Sequence, residues 1–150
     1  MNDPLRPHKH HNNTTPPEGN TNITINKPDG TSIEVSLEQL QNNYPLSIIP
    51  AYTYVTDHGV HGPYRLEGVS LKDLLASMHD WSEVEVLSGD GFGNRITKAE
   101  VLDKGDPIML YFKTDNELLE RKHGLIRLVV PAETDNALRQ IKWVKTVNIK

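Results

Sequence analysis

Residues 124–149, GLIRLVVPAETDNALRQIKWVKTVNI, decide how the chain folds. An apolar run at 125–130 reads as a buried strand that Pro131 stops, because proline donates no hydrogen bond to a ladder. A polar loop carrying Arg139 follows. Ile141, Trp143, Val147 and Ile149 then alternate with polar residues, the period of a second strand. Arg127, Arg139 and Lys142 therefore lie on or beside strands, where a cation is held in position to meet an anion. Strict alternation would place Arg139 and Lys142 on opposite faces, a conflict that disappears if the strand begins only at Ile141.

The composition narrows the functional classes. A chain of 150 residues is one domain long. Its hydrophobic fraction of 36% is low for a compact fold, and its mean hydropathy is -0.53. Much of the deficit sits near the N-terminus. The net charge of -4 argues against a nucleic-acid partner, since phosphate-backbone binders carry a basic excess. No apolar run reaches the roughly 20 residues of a membrane span. The chain contains no cysteine, which excludes disulfides, thiolate metal sites and thiol nucleophiles together. A chain without thiols suits either redox compartment.

Residues 1–22 carry Pro4, Pro7, Pro16 and Pro17 among Asn, Thr and His and have little to bury, so they read as a disordered tail ahead of one domain at 23–150. The tail's His8-Lys9-His10-His11 run reads as incidental. No apolar segment of a signal peptide follows Met1, so the expected location is cytoplasmic as written, or exported if a signal was removed.

From residue 22 the pattern becomes alternation. Ile23 and Ile25, a turn at Lys27-Pro28-Asp29-Gly30, then Ile33 and Val35 make a β-hairpin. Ser36-Leu37-Glu38-Gln39 reads as a capping box with a Val35/Leu40 staple, and a short helix starts there. The same grammar recurs at Ser70, with Asp73 three residues on, and at Thr97, with Glu100 three residues on. Strands are expected at 46–55, 64–69, 83–87, 92–96 and 107–112. Many short strands with few short helices give an α+β class with a mixed sheet or partial barrel, not a doubly wound parallel fold. Gly89, Gly91 and Gly93 precede a strand and not a helix N-terminus, so they read as turn chemistry.

Three of these segments resemble the sulfite-oxidase-like family, the oxidoreductase molybdopterin-binding domain. RLVVP followed by Arg139-Gln140-Ile141-Lys142-Trp143 is similar to the family's terminal R-S-V-K-W run, with Gln140 in place of the serine. Gly68-Val69-Ser70-Leu71-Lys72-Asp73-Leu74-Leu75 is similar to its G-V-x-L-x-x-L-L helix, and Ser88-Gly89-Asp90-Gly91-Phe92 to its S-x-D-G-Y turn. The resemblance implies the family's fold and a molybdopterin (molybdenum cofactor) guest whose phosphate end is held by Arg139 and Lys142. It also implies a cysteine ligand to the metal from the segment before the helix. That segment, residues 52–63, has no cysteine, so the redox mechanism does not carry over with the fold.

His58 and His61 stand three apart in the same segment, where imidazoles can donate to an anion or bind a metal. The leading expectation is a domain that binds a molybdopterin-type cofactor or similar small anionic ligand through Arg127, Arg139 and Lys142. His58 and His61 line its mouth, and a redox partner protein supplies electrons if a redox step occurs. Its rivals are a non-enzymatic binding or interaction module that keeps the fold without cofactor, and a histidine metal site at His58, His61 and His123.

Overall fold

A computed structural model describes residues 22–56, 58–78, 80–89, 92–132 and 140–150. Residues 1–21, which include the tail's histidine run, lie outside them, as do Asp57 and Arg139. The described chain forms two five-stranded sheets. One runs β2 (Ser32–Val35), β1 (Ile23–Asn26), β10 (Val144–Ile149), β5 (Glu83–Ser88), β6 (Gly93–Thr97), and β1 and β10 are its one parallel pair. The other runs β3 (Ser47–Thr56), β4 (Gly59–Ser70), β7 (Met109–Thr114), β8 (Glu117–Leu118), with β9 (Arg127–Val129) also bonded to β7. Both sheets are open, so the architecture is α+β with no closed barrel.

The three capped helices form for the reason the local sequence gives. The Ser36 hydroxyl accepts from the Gln39 amide while the Gln39 side chain accepts from the Ser36 amide, opening α1 (Leu37–Asn43). Thr97 and Glu100 close the same reciprocal pair at α3 (Lys98–Val101). Ser70 caps α2 (Leu71–Leu74) through the Asp73 amide. Each serves orphan donors that a helix start otherwise leaves unpaired.

Strand boundaries differ from the sequence expectation where backbone geometry overrides apolar pattern. β4 starts at Gly59 because it forms a long hairpin with β3, and β7 runs on to Thr114. Asp115 and Asn116, at φ 52° and 72°, turn β7 into β8. Both central residues at positive φ match the twist of the flanking strands. The last strand begins at Val144, not Ile141, because Trp143 sits at φ 55° and breaks the alternation. Ile141 makes only an isolated bridge to Leu128.

Period-two geometry places the core. Leu110 and Phe112 of β7 and Leu128 of β9 pack into the main core with Ile23, Val84 and Val147 from the first sheet. Met109 and Tyr111, which alternate with them, face the other way with Val129, Ile49, Tyr52 and Leu66 in a second, smaller cluster. β7 is therefore buried on both faces, and Arg127, next to Leu128, projects on the side of the smaller cluster.

Gly68 lets β4 lie against β7 at the irregularity between Glu67 and Gly68. A Cβ there would stand 2.0 Å from the Leu110 carbonyl oxygen and 2.5 Å from the Tyr111 Cα. Backbone atoms give way only by separating the strands. Gly68→Ala is therefore expected to lose about 2–3 kcal/mol in urea unfolding, the scale of overpacking. Ser36→Ala, which removes one cap, should lose about 1 kcal/mol. A Gly68→Ala loss no larger than that of Ser36→Ala would contradict the close approach.

Candidate functional site

The site grows from the outer face of the second sheet. Tyr111 and Arg127 are register partners across β7 and β9, and the guanidinium lies over the Tyr111 ring at 5.6 Å. Across β4 lies β3, which presents Tyr52 and Tyr54 two residues apart. Their partners on β4 are Tyr64 and His61. Tyr54 stacks on Tyr52 at 5.8 Å and on His61 at 4.9 Å, and Tyr64 tilts against it at 6.4 Å. The result is a cleft of about 400 Å³ lined by Tyr52, Tyr54, Tyr64, Tyr111 and Arg127, with the β8 edge and Glu117 at its rim.

Burial pushes the Tyr52 phenol up to about 12 and also raises those of Tyr54 and Tyr111, against a smaller opposing pull from Arg127. All three keep their protons at neutral pH. Arg127 donates from Nη2 to Gln140 Oε1 at 3.3 Å, and Gln140 Nε2 donates to the Tyr52 hydroxyl at 2.5 Å. Arg127 Nε is buried and has no acceptor.

Behind Arg127 stands Lys142. Gly124, at φ 109°, separates them, and a Cβ there would stand 2.7 Å from the Arg127 Cγ and 3.4 Å from the Lys142 Cβ. Glycine thus allows two cationic side chains to flank one backbone position. Burial pulls the Lys142 ammonium below its usual range, and the Arg127 charge pulls it further. Lys142 also lies over the Trp143 ring at 5.6 Å.

Of the residues singled out from sequence, Arg127 lines the cleft and Lys142 packs beside it. His61 joins the wall through its stack on Tyr54. His58 sits exposed in the β3–β4 turn. Arg139 lies outside the described residues, as does the side chain of His123. Among the described residues no three His, Cys, Asp or Glu groups gather as a metal site. The tyrosines were the missed signal. The Tyr52/Tyr54 spacing already puts two rings on one strand face, whereas Tyr64 and Tyr111 join them only through strand pairing.

Residues 12–150 match the family model described as the oxidoreductase molybdopterin binding domain. No curated protein matches the chain. No helix among the described residues is long and apolar enough to cross a membrane.

The cation pair has a signature in stability. The folded-state pKa of Lys142 lies below 10.5, so between those values the unfolded chain binds more protons and stability rises with pH. Below the folded value the charged ammonium is a steady cost. Lys142→Met should therefore stabilise the ligand-free protein at pH 7 by a few tenths to about 1 kcal/mol, allowing for solvent screening. That advantage should shrink as the pH approaches 10.5. Urea unfolding at pH 7 and pH 10 checks it, and a less stable Lys142→Met at pH 7 would contradict the picture.

Proposed function

The chain belongs to the oxidoreductase molybdopterin-binding domain family, and from that premise we propose that its tyrosine cleft receives a molybdopterin-type cofactor with the phosphate end at Arg127 and Lys142. Arg139, three residues before Lys142, completes the cationic set, with His61 at the wall and His58 at the mouth. The observation that carries this reading is the juxtaposition of two partly buried cations, one with an unpartnered buried Nε, on a chain of net charge -4. A like charge beside Lys142 lowers its ammonium pKa, and the buried Arg127 Nε has no acceptor, so an anion at this place would be favoured. Charge-assisted hydrogen bonds to phosphate are among the strong ones.

The residues fit the organic part of the guest. Cations and phenol donors suit phosphate oxygens, and tyrosine rings offer aromatic faces to a planar heterocycle. They supply no thiolate to the metal, because the chain has no cysteine. When bound, the cofactor supplies two-electron redox chemistry at molybdenum. This chain's residues bind and orient its anionic end, exclude water along the ring wall, and keep protons on the phenols that face it. Under this reading a redox step takes its electrons from a partner protein.

The missing cysteine favours a second reading, a binding or interaction module that keeps the fold without cofactor. Purification from a cofactor-producing host separates the two. Molybdenum and fluorescent pterin are expected near one equivalent per chain. Arg127→Gln should weaken cofactor affinity about ten- to a hundredfold, the effect of one charged hydrogen bond at roughly 1.5–3 kcal/mol, and lower occupancy at limiting cofactor accordingly. Metal and pterin at background in the unmodified protein would reject cofactor binding and leave the module.

A further inference from the structure

Gln140 is 8% exposed and joins two walls of the cleft. Its amide has one acceptor end and one donor end. Arg127 only donates, so the end facing Arg127 Nη2 must be Oε1, and Nε2 must face Tyr52. Tyr52 Oη is thereby used as an acceptor on that side. Its own proton has to point elsewhere, and among the described residues no group takes it. Arg127 Nε is buried beside it with no acceptor. Glu117, a carboxylate on the same lining, sits on the exposed β8 edge and does not reach that Nε.

We infer that Gln140 is a positioning residue whose amide turns Arg127 and Tyr52 into a paired donor seat for one oxyanion at the inner end of the tyrosine cleft. A buried donor without an acceptor is costly, and Arg127, which carries one, lines the same cleft as Tyr52, whose hydroxyl proton is left over, so a guest that brings oxygen lone pairs suits both. The chemistry is that of a phosphate, sulfate or carboxylate, carried either by the cofactor's own phosphate or by a separate small oxyanion. The inference deepens the anion-site reading and does not require the guest to be a pterin.

Gln140→Glu reverses the seat without changing its shape. A carboxylate accepts from Arg127 and from Tyr52 alike, so the phenol proton turns inward and a negative charge faces the incoming anion. A residue with a merely structural role would lose stability on substitution. Here the opposite is expected, with Gln140→Glu at least as stable in chloride because its charge meets that of Arg127.

The test is thermal unfolding and calorimetric titration of the full chain, prepared free of cofactor, with millimolar sulfate or inorganic phosphate against chloride at matched ionic strength. Sulfate should raise the unfolding midpoint of the unmodified protein. Its affinity should fall at least tenfold in Gln140→Glu and several-fold in Tyr52→Phe, which keeps the ring and deletes the donor. Equal sulfate affinity in the unmodified protein and Tyr52→Phe, equal affinity in a folded Gln140→Glu, or no preference for sulfate over chloride, would overturn the seat. Repeating the titration on cofactor-loaded protein identifies the occupant: a lost sulfate effect assigns the seat to the cofactor's phosphate, and a retained one assigns it to a free oxyanion. Normal pterin loading without the sulfate effect sinks the seat alone. A sulfate effect that depends on Gln140, without pterin, sinks the cofactor reading alone.

Discussion

The short antiparallel pairing of residues 124–128 with 141–144 is the constraint on which the rest of the molecule depends. Leu128 and Ile141 exchange both backbone hydrogen bonds, Trp143 donates to the Gly124 carbonyl, and Val144 donates to that of Ile126. β9 belongs to the second sheet and β10 to the first, so this pairing joins the two sheets. It also sets Arg127 and Lys142 on either side of Gly124. The join is strained. Leu125 and Trp143 stand at φ 53° and 55°, which costs an L-residue about 1–2 kcal/mol each. Backbone bonds and the Trp143 indole, which donates to the Arg121 carbonyl at 2.5 Å, hold it in place. Strain over-determined by its surroundings is characteristic of sites that position ligands.

A second consequence follows from burying β7 on both faces. Its even-numbered residues complete the main core, while Met109 and Tyr111 pack into the smaller cluster beside the cleft. The face on that side holds Arg127, several phenols and a polar relay while the main core stays apolar. Proteins commonly give up some stability at a functional site in this way.

The parts of the fold legible in sequence are those whose causes are local. Ser36, Ser70 and Thr97 cap helices because the side chain and the amide it serves are three residues apart. The strands at 83–88 and 93–97 follow from period-two alternation. The boundaries that shifted have causes outside any window of sequence: β10 starts late because Trp143 turns to close the join, and β7 runs on into a two-residue turn at Asp115-Asn116. At the site, Arg127 and Lys142 were legible as cations fixed near strands, and their mutual approach depends on Gly124, which the apolar pattern does not show. Gln140 read as a substitution within a motif, and only the pairing of distant strands reveals that it links Arg127 to Tyr52, 88 residues away in the chain. His58 and His61 looked equivalent in sequence. In the fold His61 stacks on Tyr54, whereas His58 is exposed in the β3–β4 turn.

Under the proposed reading, the cleft lined by Arg127 and the tyrosines, with Lys142 beside Arg127, seats a phosphorylated guest. The most direct measurement is a crystal structure of the protein purified with its guest from a cofactor-producing host. The account predicts phosphate oxygens within hydrogen-bond distance of Arg127 and Lys142, with the guest's ring against the tyrosines. A guest bound on another face of the molecule, with those two cations still side by side and facing solvent, would contradict it.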